Sequence, residues 1–97
     1  MKVRWTKDGL EDRLVVWDYL VERNPVAAAT LDDVFNEAAD RLGDHPLMGV
    51  PGKIAGTREL VPHEHYRLTY EIDAEKDTVW ILALIHTARL WPPVTED

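Results

Sequence analysis

The sequence predicts an α+β fold: one helical hairpin packed on one face of a small antiparallel sheet, in the order β-α-α-β-β-β. Three observations carry this. The first half holds two stretches with a 3.6-residue apolar period, the second half alternates or runs apolar over strand lengths, and a Pro/Gly-rich segment separates them.

Lys2 to Trp5 is short and alternates in polarity, which reads as a first strand. Thr6 stands at a helix N-cap, with Asp8, Glu11 and Asp12 near the positive end of the helix dipole. Leu10, Leu14, Trp17, Leu20 and Val21 then keep helical spacing. Val15, Val16 and Tyr19 widen that stripe beyond one face, so the helix is covered on more than one side, by its own domain or by a partner.

Asn24-Pro25 closes this helix and opens the next, Asn24 as cap and Pro25 where a missing N–H costs nothing. Leu31, Val34, Phe35, Ala38 and Leu42 form the buried stripe of the second helix, and Gly43 is expected to stop it. His45 to Gly56 reads as loop. Thr57 to Val61 is a short strand ended by Pro62, and Tyr66 to Ile72 alternates as a half-buried strand. Ala74 to Asp77 is a charged turn, and Val79 to Ile85 is a continuous apolar strand that should lie centrally. The tail from Trp91, with Pro92-Pro93, cannot continue a ladder.

Length and composition set further bounds. The 97 residues fit one domain, 1–97, and 45% hydrophobic content with four tryptophans excludes compositional disorder. No cysteine is present, which removes disulfide scaffolds and cysteine-ligated metals. No signal peptide and no membrane-spanning run is visible, so the expected location is cytoplasmic with no membrane partner. The formal charge of −7 gives no basic footprint for non-specific nucleic-acid binding, and reads first as a solvated acidic surface. Trp17 and Trp80 are expected in the core, while Trp91 could pin the tail or meet a partner.

Several polar residues have two readings. Arg67, alternating with buried residues, is a solvated or salt-bridged arginine or a phosphate contact; Arg58 is similar. His63-x-His65 could put two imidazoles on one strand face, but no third ligand is at metal spacing, so no metal is expected. His86 at the end of an apolar strand is a hydrogen-bonded structural histidine or a proton shuttle, and His45 before Pro46 is structural.

The segments Gly56-Thr57-Arg58-Glu59-Leu60-Val61, Tyr66-Arg67-Leu68-Thr69-Tyr70 and Ile85-His86-Thr87-Ala88-Arg89, in this order, resemble the RelE/ParE toxin superfamily. So do Asn24-Pro25-x-Ala27-Ala28 and His45-Pro46-x-x-Gly49, and the likeness covers nearly the whole chain. The resemblance implies the toxin of a bacterial type II toxin–antitoxin system, neutralised by a cognate antitoxin. It leaves open ribosome-dependent mRNA cleavage of the RelE kind, inhibition of DNA gyrase without catalysis of the ParE kind, or a non-toxic binding module of the same fold. Neither active reading requires a cofactor.

RNA cleavage through the 2′-hydroxyl needs a base, a charge stabiliser and an acid. By the resemblance, Arg67 matches the arginine of the family's strand and Arg58 falls on a first lysine, whereas the second lysine is Leu60 here, which weakens a nuclease reading. His86 or Thr87 takes the place of a late arginine, with Arg89 nearby. Arg58, Arg67 and His86, with His63, His65 and Arg89 behind them, are thus the candidate catalytic set. For the antitoxin, the overwide stripe at Val15, Val16 and Tyr19 is the expected landing surface, met by a basic-tinged amphipathic segment lying over the hairpin and the sheet edge.

Overall fold

The computed structural model describes residues 1–87. Its elements are β1 (Lys2–Trp5), α1 (Lys7–Val21), α2 (Pro25–Asp44), β2 (Val50–Pro51), β3 (Arg58–His63), β4 (Tyr66–Asp73) and β5 (Thr78–His86). Five strands form one sheet in the order β1-β5-β4-β3-β2.

The expected hairpin of helices on a sheet is what forms, with two changes. β1 pairs parallel with β5 while every other pairing is antiparallel. A parallel neighbour needs a long crossover, and here the two helices and three further strands intervene before the chain returns beside β1. β5 therefore lies inside the sheet, as its unbroken apolar run predicts. The second change is β2, a two-residue strand inside the segment read as loop.

Both helix caps form as the sequence predicts: Thr6 Oγ1 accepts the Gly9 N–H at 3.1 Å, and Asn24 Oδ1 accepts the Ala27 N–H at 3.1 Å. Thr6 also extends the β1–β5 ladder, since its backbone N–H and its hydroxyl both donate to the Ile81 carbonyl at 3.0 Å. α1 starts in contact with β5. Only glycine fits at position 9, because a Cβ there would stand 2.6 Å from the Ile81 carbonyl oxygen.

Gly43 is not the helix stop. It lies inside α2, which ends one residue later with His45 as its C-cap, and it is small because a Cβ would approach the Met1 carbonyl oxygen to 2.8 Å. Pro62 does not end β3 either. The β3–β4 register shifts between Leu60 and His63, and a proline is tolerated at such an irregularity.

The core lies between α2 and the sheet: Phe35, Ala39 and Leu42 pack on Leu68, Tyr70, Val79, Ile81 and Leu84. Burying each large side chain contributes about 1.5–3 kcal/mol. α1 joins this core through Val16. Its expected stripe is half outside, because Leu10 and Leu14 are exposed along with Val15 and Tyr19. Trp17 and Trp80 are half-buried and outside the core cluster; Trp5 packs against it instead. Trp91 and the proline pair lie outside the described residues.

Candidate functional site

Residues paired across a sheet share a face, so strand register decides which candidates can meet. On β4, Tyr66, Leu68, Tyr70 and Ile72 face the helices, which puts Arg67, Thr69 and Glu71 on the opposite side. Arg58 pairs with Tyr70, Leu60 with Leu68, and His63 with Tyr66, so these β3 residues take the helix side. His86 pairs with Tyr66 and does the same.

The three leading candidates for catalysis are therefore spread over the sheet. Arg67 is on one face, and Arg58 and His86 are on the other. The last two stand opposite β4 residues four apart, roughly 13 Å along the strand. Leu60, at the position where the resemblance would place a second lysine, is half-buried and packs against the core.

Each arginine has structural partners, while Arg58 Nε and Arg67 Nη1 are buried without a hydrogen-bond partner. Arg58 Nη2 donates to the carbonyls of Gly49 at 2.6 Å and Leu47 at 3.2 Å. Arg67 Nε lies 3.0 Å from Glu59 Oε1, in an ion pair where both side chains are largely enclosed. The second oxygen of Glu59 accepts the Lys53 backbone N–H at 2.9 Å. Tyr70 completes the set: its buried hydroxyl donates to the Pro46 carbonyl at 2.6 Å and accepts the Gly49 N–H at 3.0 Å. Arg58, Glu59 and Tyr70 reach residues 46–53 directly, and Arg67 acts on them through Glu59. The sequence reading missed this role, and the one local sign of it is the absence of any Asp or Glu from His45 to Arg58.

The histidines form a separate group at the far end of the sheet. The His65 and His86 rings stack at 5.8 Å with planes 2° apart, His63 lies 5.6 Å from His65, and Tyr66 meets His86 edge-on at 5.3 Å. Tyr66 also packs edge-on against Phe35 at 5.3 Å, which fixes the cluster to the core. Burial, and after it the neighbouring Tyr19 phenol, raises the Tyr66 hydroxyl above the ordinary tyrosine pKa. Among the described residues, no group of three or more His, Asp or Glu side chains is placed to hold a metal ion. Arg89 lies outside the described residues.

Between α1 and this cluster runs a groove of about 430 Å³, lined by Asp12, Val15, Val16, Tyr19, Tyr66, Leu84 and His86. β1 ladders with β5 only as far as Ile81, so the outer edge of β5 continues beyond it without a strand. Asp12 Oδ2 accepts the Leu84 N–H there at 3.0 Å, a helix side chain standing in for a missing strand. Val15, Val16 and Tyr19, singled out by the sequence as surplus apolar residues, are thus gathered on one groove. No described helix is long and apolar enough to cross a membrane.

The fold recurs in known proteins. The profile of the ParE toxin of type II toxin–antitoxin systems (parDE) matches residues 3–91. The chain is 34% identical over 94 residues to Y4kP of Sinorhizobium fredii, a protein named as a toxin, and the match covers 96% of this chain and 95% of that one. Its fold superposes on a structure of the chromosomal ParDE toxin–antitoxin system of P. aeruginosa with a TM-score of 0.76, at 19% identity, over 89% of this chain and 95% of that one. The RelBE2 toxin–antitoxin complex of Mycobacterium tuberculosis aligns at a TM-score of 0.61 and 30% identity, over 88% and 95%. With the profile match running through nearly all of its length, the chain belongs to the ParE toxin family of type II toxin–antitoxin systems.

Proposed function

We propose that this toxin acts by binding DNA gyrase rather than by cutting RNA, and that a cognate antitoxin silences it by covering the α1 groove. The observation that carries the first half is the commitment of both arginines. A phosphate-cleaving site needs free cations converging on one spot. Here Arg58 and Arg67 face opposite sides of the sheet, Arg58 bonded to the 46–53 segment directly and Arg67 paired with the Glu59 that bonds to it. Leu60 packs against the core, and among the described residues Arg58 and Arg67 do not meet to stabilise a pentacovalent phosphorus. What the surface does offer is exposed apolar area, which suits protein recognition.

The antitoxin half rests on the groove. Val15 and Tyr19 are exposed beside an unladdered stretch of β5, and α1 carries Asp8, Glu11, Asp12 and Asp18, with Glu22 as its C-cap. An amphipathic segment with basic residues on its polar side matches that apolar, acid-rimmed surface. Tyr19→Asp should weaken antitoxin binding without reducing toxicity in the antitoxin's absence; unchanged affinity would place the antitoxin elsewhere.

The mechanism is tested by inducing the toxin alone and following radiolabel incorporation into DNA and protein, alongside supercoiling by purified gyrase. The expected result is early loss of DNA synthesis and inhibited supercoiling. Early loss of protein synthesis with gyrase unaffected would favour mRNA cleavage on the ribosome. Undisturbed growth would mark a non-toxic binding module.

A further inference from the structure

The segment from Pro46 to Thr57 combines two properties that rarely coincide by chance: a tightly fastened backbone and outward apolar side chains. Leu47 is 69% exposed and Val50 64% exposed, and Met48 and Ile54 join them. The backbone beneath is held by the Tyr70 hydroxyl, the Arg58 guanidinium and the Glu59 carboxylate. The Gly52 N–H donates to the Thr57 carbonyl at 2.8 Å, and both the Thr57 N–H and its hydroxyl donate to the Ile54 carbonyl. Gly49 threads so closely past Glu59 and Tyr70 that a Cβ would stand 2.6 Å from the Glu59 carbonyl oxygen. Apolar groups held out in water gain nothing in the isolated chain; in a complex they bind with little ordering cost.

The charge pattern indicates the partner. The chain has 18 acidic residues, yet none falls between His45 and Arg58, where Lys53 is exposed. The α1 groove has the opposite chemistry, with Asp12 in its lining and four carboxylates along its helix. One complementary partner surface would not suit both. Strand addition is also disfavoured, because β2 has only two residues and one is Pro51.

We infer that residues 46–57 form a preordered platform through which the toxin grips its protein target, docking Leu47, Met48, Val50 and Ile54 into an apolar surface rimmed by carboxylates that pair with Lys53. The inference rests on the protein-inhibitor reading above, and gyrase is its expected target.

The test uses two variants of the full chain, Leu47→Ser/Val50→Ser and Lys53→Glu. Lys53 lends the fold only its backbone N–H, so the second variant keeps the experiment decisive if the first is poorly folded. Growth arrest without antitoxin, gyrase supercoiling, antitoxin affinity and thermal midpoint are measured for both. Toxic potency and gyrase inhibition should fall roughly tenfold or more, with antitoxin affinity and midpoint unchanged for Lys53→Glu. Full potency in both variants overturns the platform. So does a parallel loss of antitoxin affinity, which would make the loop part of that interface. A change in the toxin's own oligomeric state, or in its binding to labelled duplex DNA, would assign the surface to a second copy or to nucleic acid and also overturn the proposal. If wild-type toxin leaves gyrase untouched while both variants lose toxicity, the gyrase reading falls and the platform stands for another protein target.

Discussion

Arg67 and Glu59 form a relay rather than an isolated ion pair. The arginine Nε holds one carboxylate oxygen at 3.0 Å while the other oxygen accepts the Lys53 N–H at 2.9 Å. A residue that resembles a catalytic arginine by position thus anchors a loop through an intermediary. Replacing Arg67 with Ala leaves an enclosed carboxylate without its cation, and such charge-assisted bonds are worth about 1.5–3 kcal/mol. Arg67→Ala should destabilise the fold by about that much and speed amide exchange at Lys53. Chemical denaturation and hydrogen exchange read both effects; full stability with abolished toxicity would return Arg67 to a catalytic role.

Tyr70 offers a cleaner cut at the same loop. Its ring is in the core, while its hydroxyl alone joins Pro46 and Gly49. Tyr70→Phe keeps the ring and strands a buried N–H and a carbonyl, at a cost of about 1–3 kcal/mol. Toxicity should fall further than that stability loss explains, because the loop would no longer be held out in one arrangement. Denaturation and growth arrest measured side by side check this, and unaltered toxicity would show that the loop's order is irrelevant.

The uneven legibility of this chain follows from the range of the interactions involved. The α2 stripe, the Thr6 and Asn24 caps and the alternation of β4 depend on neighbours within a turn or two of chain, so periodicity exposes them. The parallel β1–β5 pairing joins residues some 76 apart, as in Lys2 with Thr78, and no local pattern announces it. Gly43 was readable as a glycine that matters, but its reason is the distant Met1 carbonyl rather than a left-handed stop. The candidate site shows the same division. Arg58 and Arg67 stand out by type and place, whereas their partners are loop carbonyls and a carboxylate on the adjacent strand. Val15, Val16 and Tyr19 were legible because surplus apolar residues on a helix can be counted directly.

Gly9 sets two effects against each other. Alanine in a helix is favoured over glycine by about 1 kcal/mol, yet here its Cβ would stand 2.6 Å from the Ile81 carbonyl oxygen of β5. That oxygen is backbone and already accepts from Thr6, so it cannot move away freely. Overpacking of this kind costs about 1–3 kcal/mol, and it should win. Gly9→Ala is expected to lower the denaturation midpoint despite its better helix propensity. A raised midpoint would mean that α1 rides over β5 without close contact.

Tyr66 supplies a pH-dependent prediction beside the α1 groove. Burial, then Tyr19, raises its pKa above the ordinary 10.0, so the folded chain holds this proton more tightly than the unfolded chain. The linked stability is fully present below about pH 10 and is lost as pH climbs through the raised folded value. Wild-type stability should therefore drop more steeply above about pH 10 than that of Tyr66→Phe, which keeps the ring packed on Phe35 and has no phenol to ionise. Urea midpoints across that range decide the matter, since every other titrating group is common to both chains. Parallel curves would show that Tyr66 ionises as freely in the folded protein as in the unfolded one.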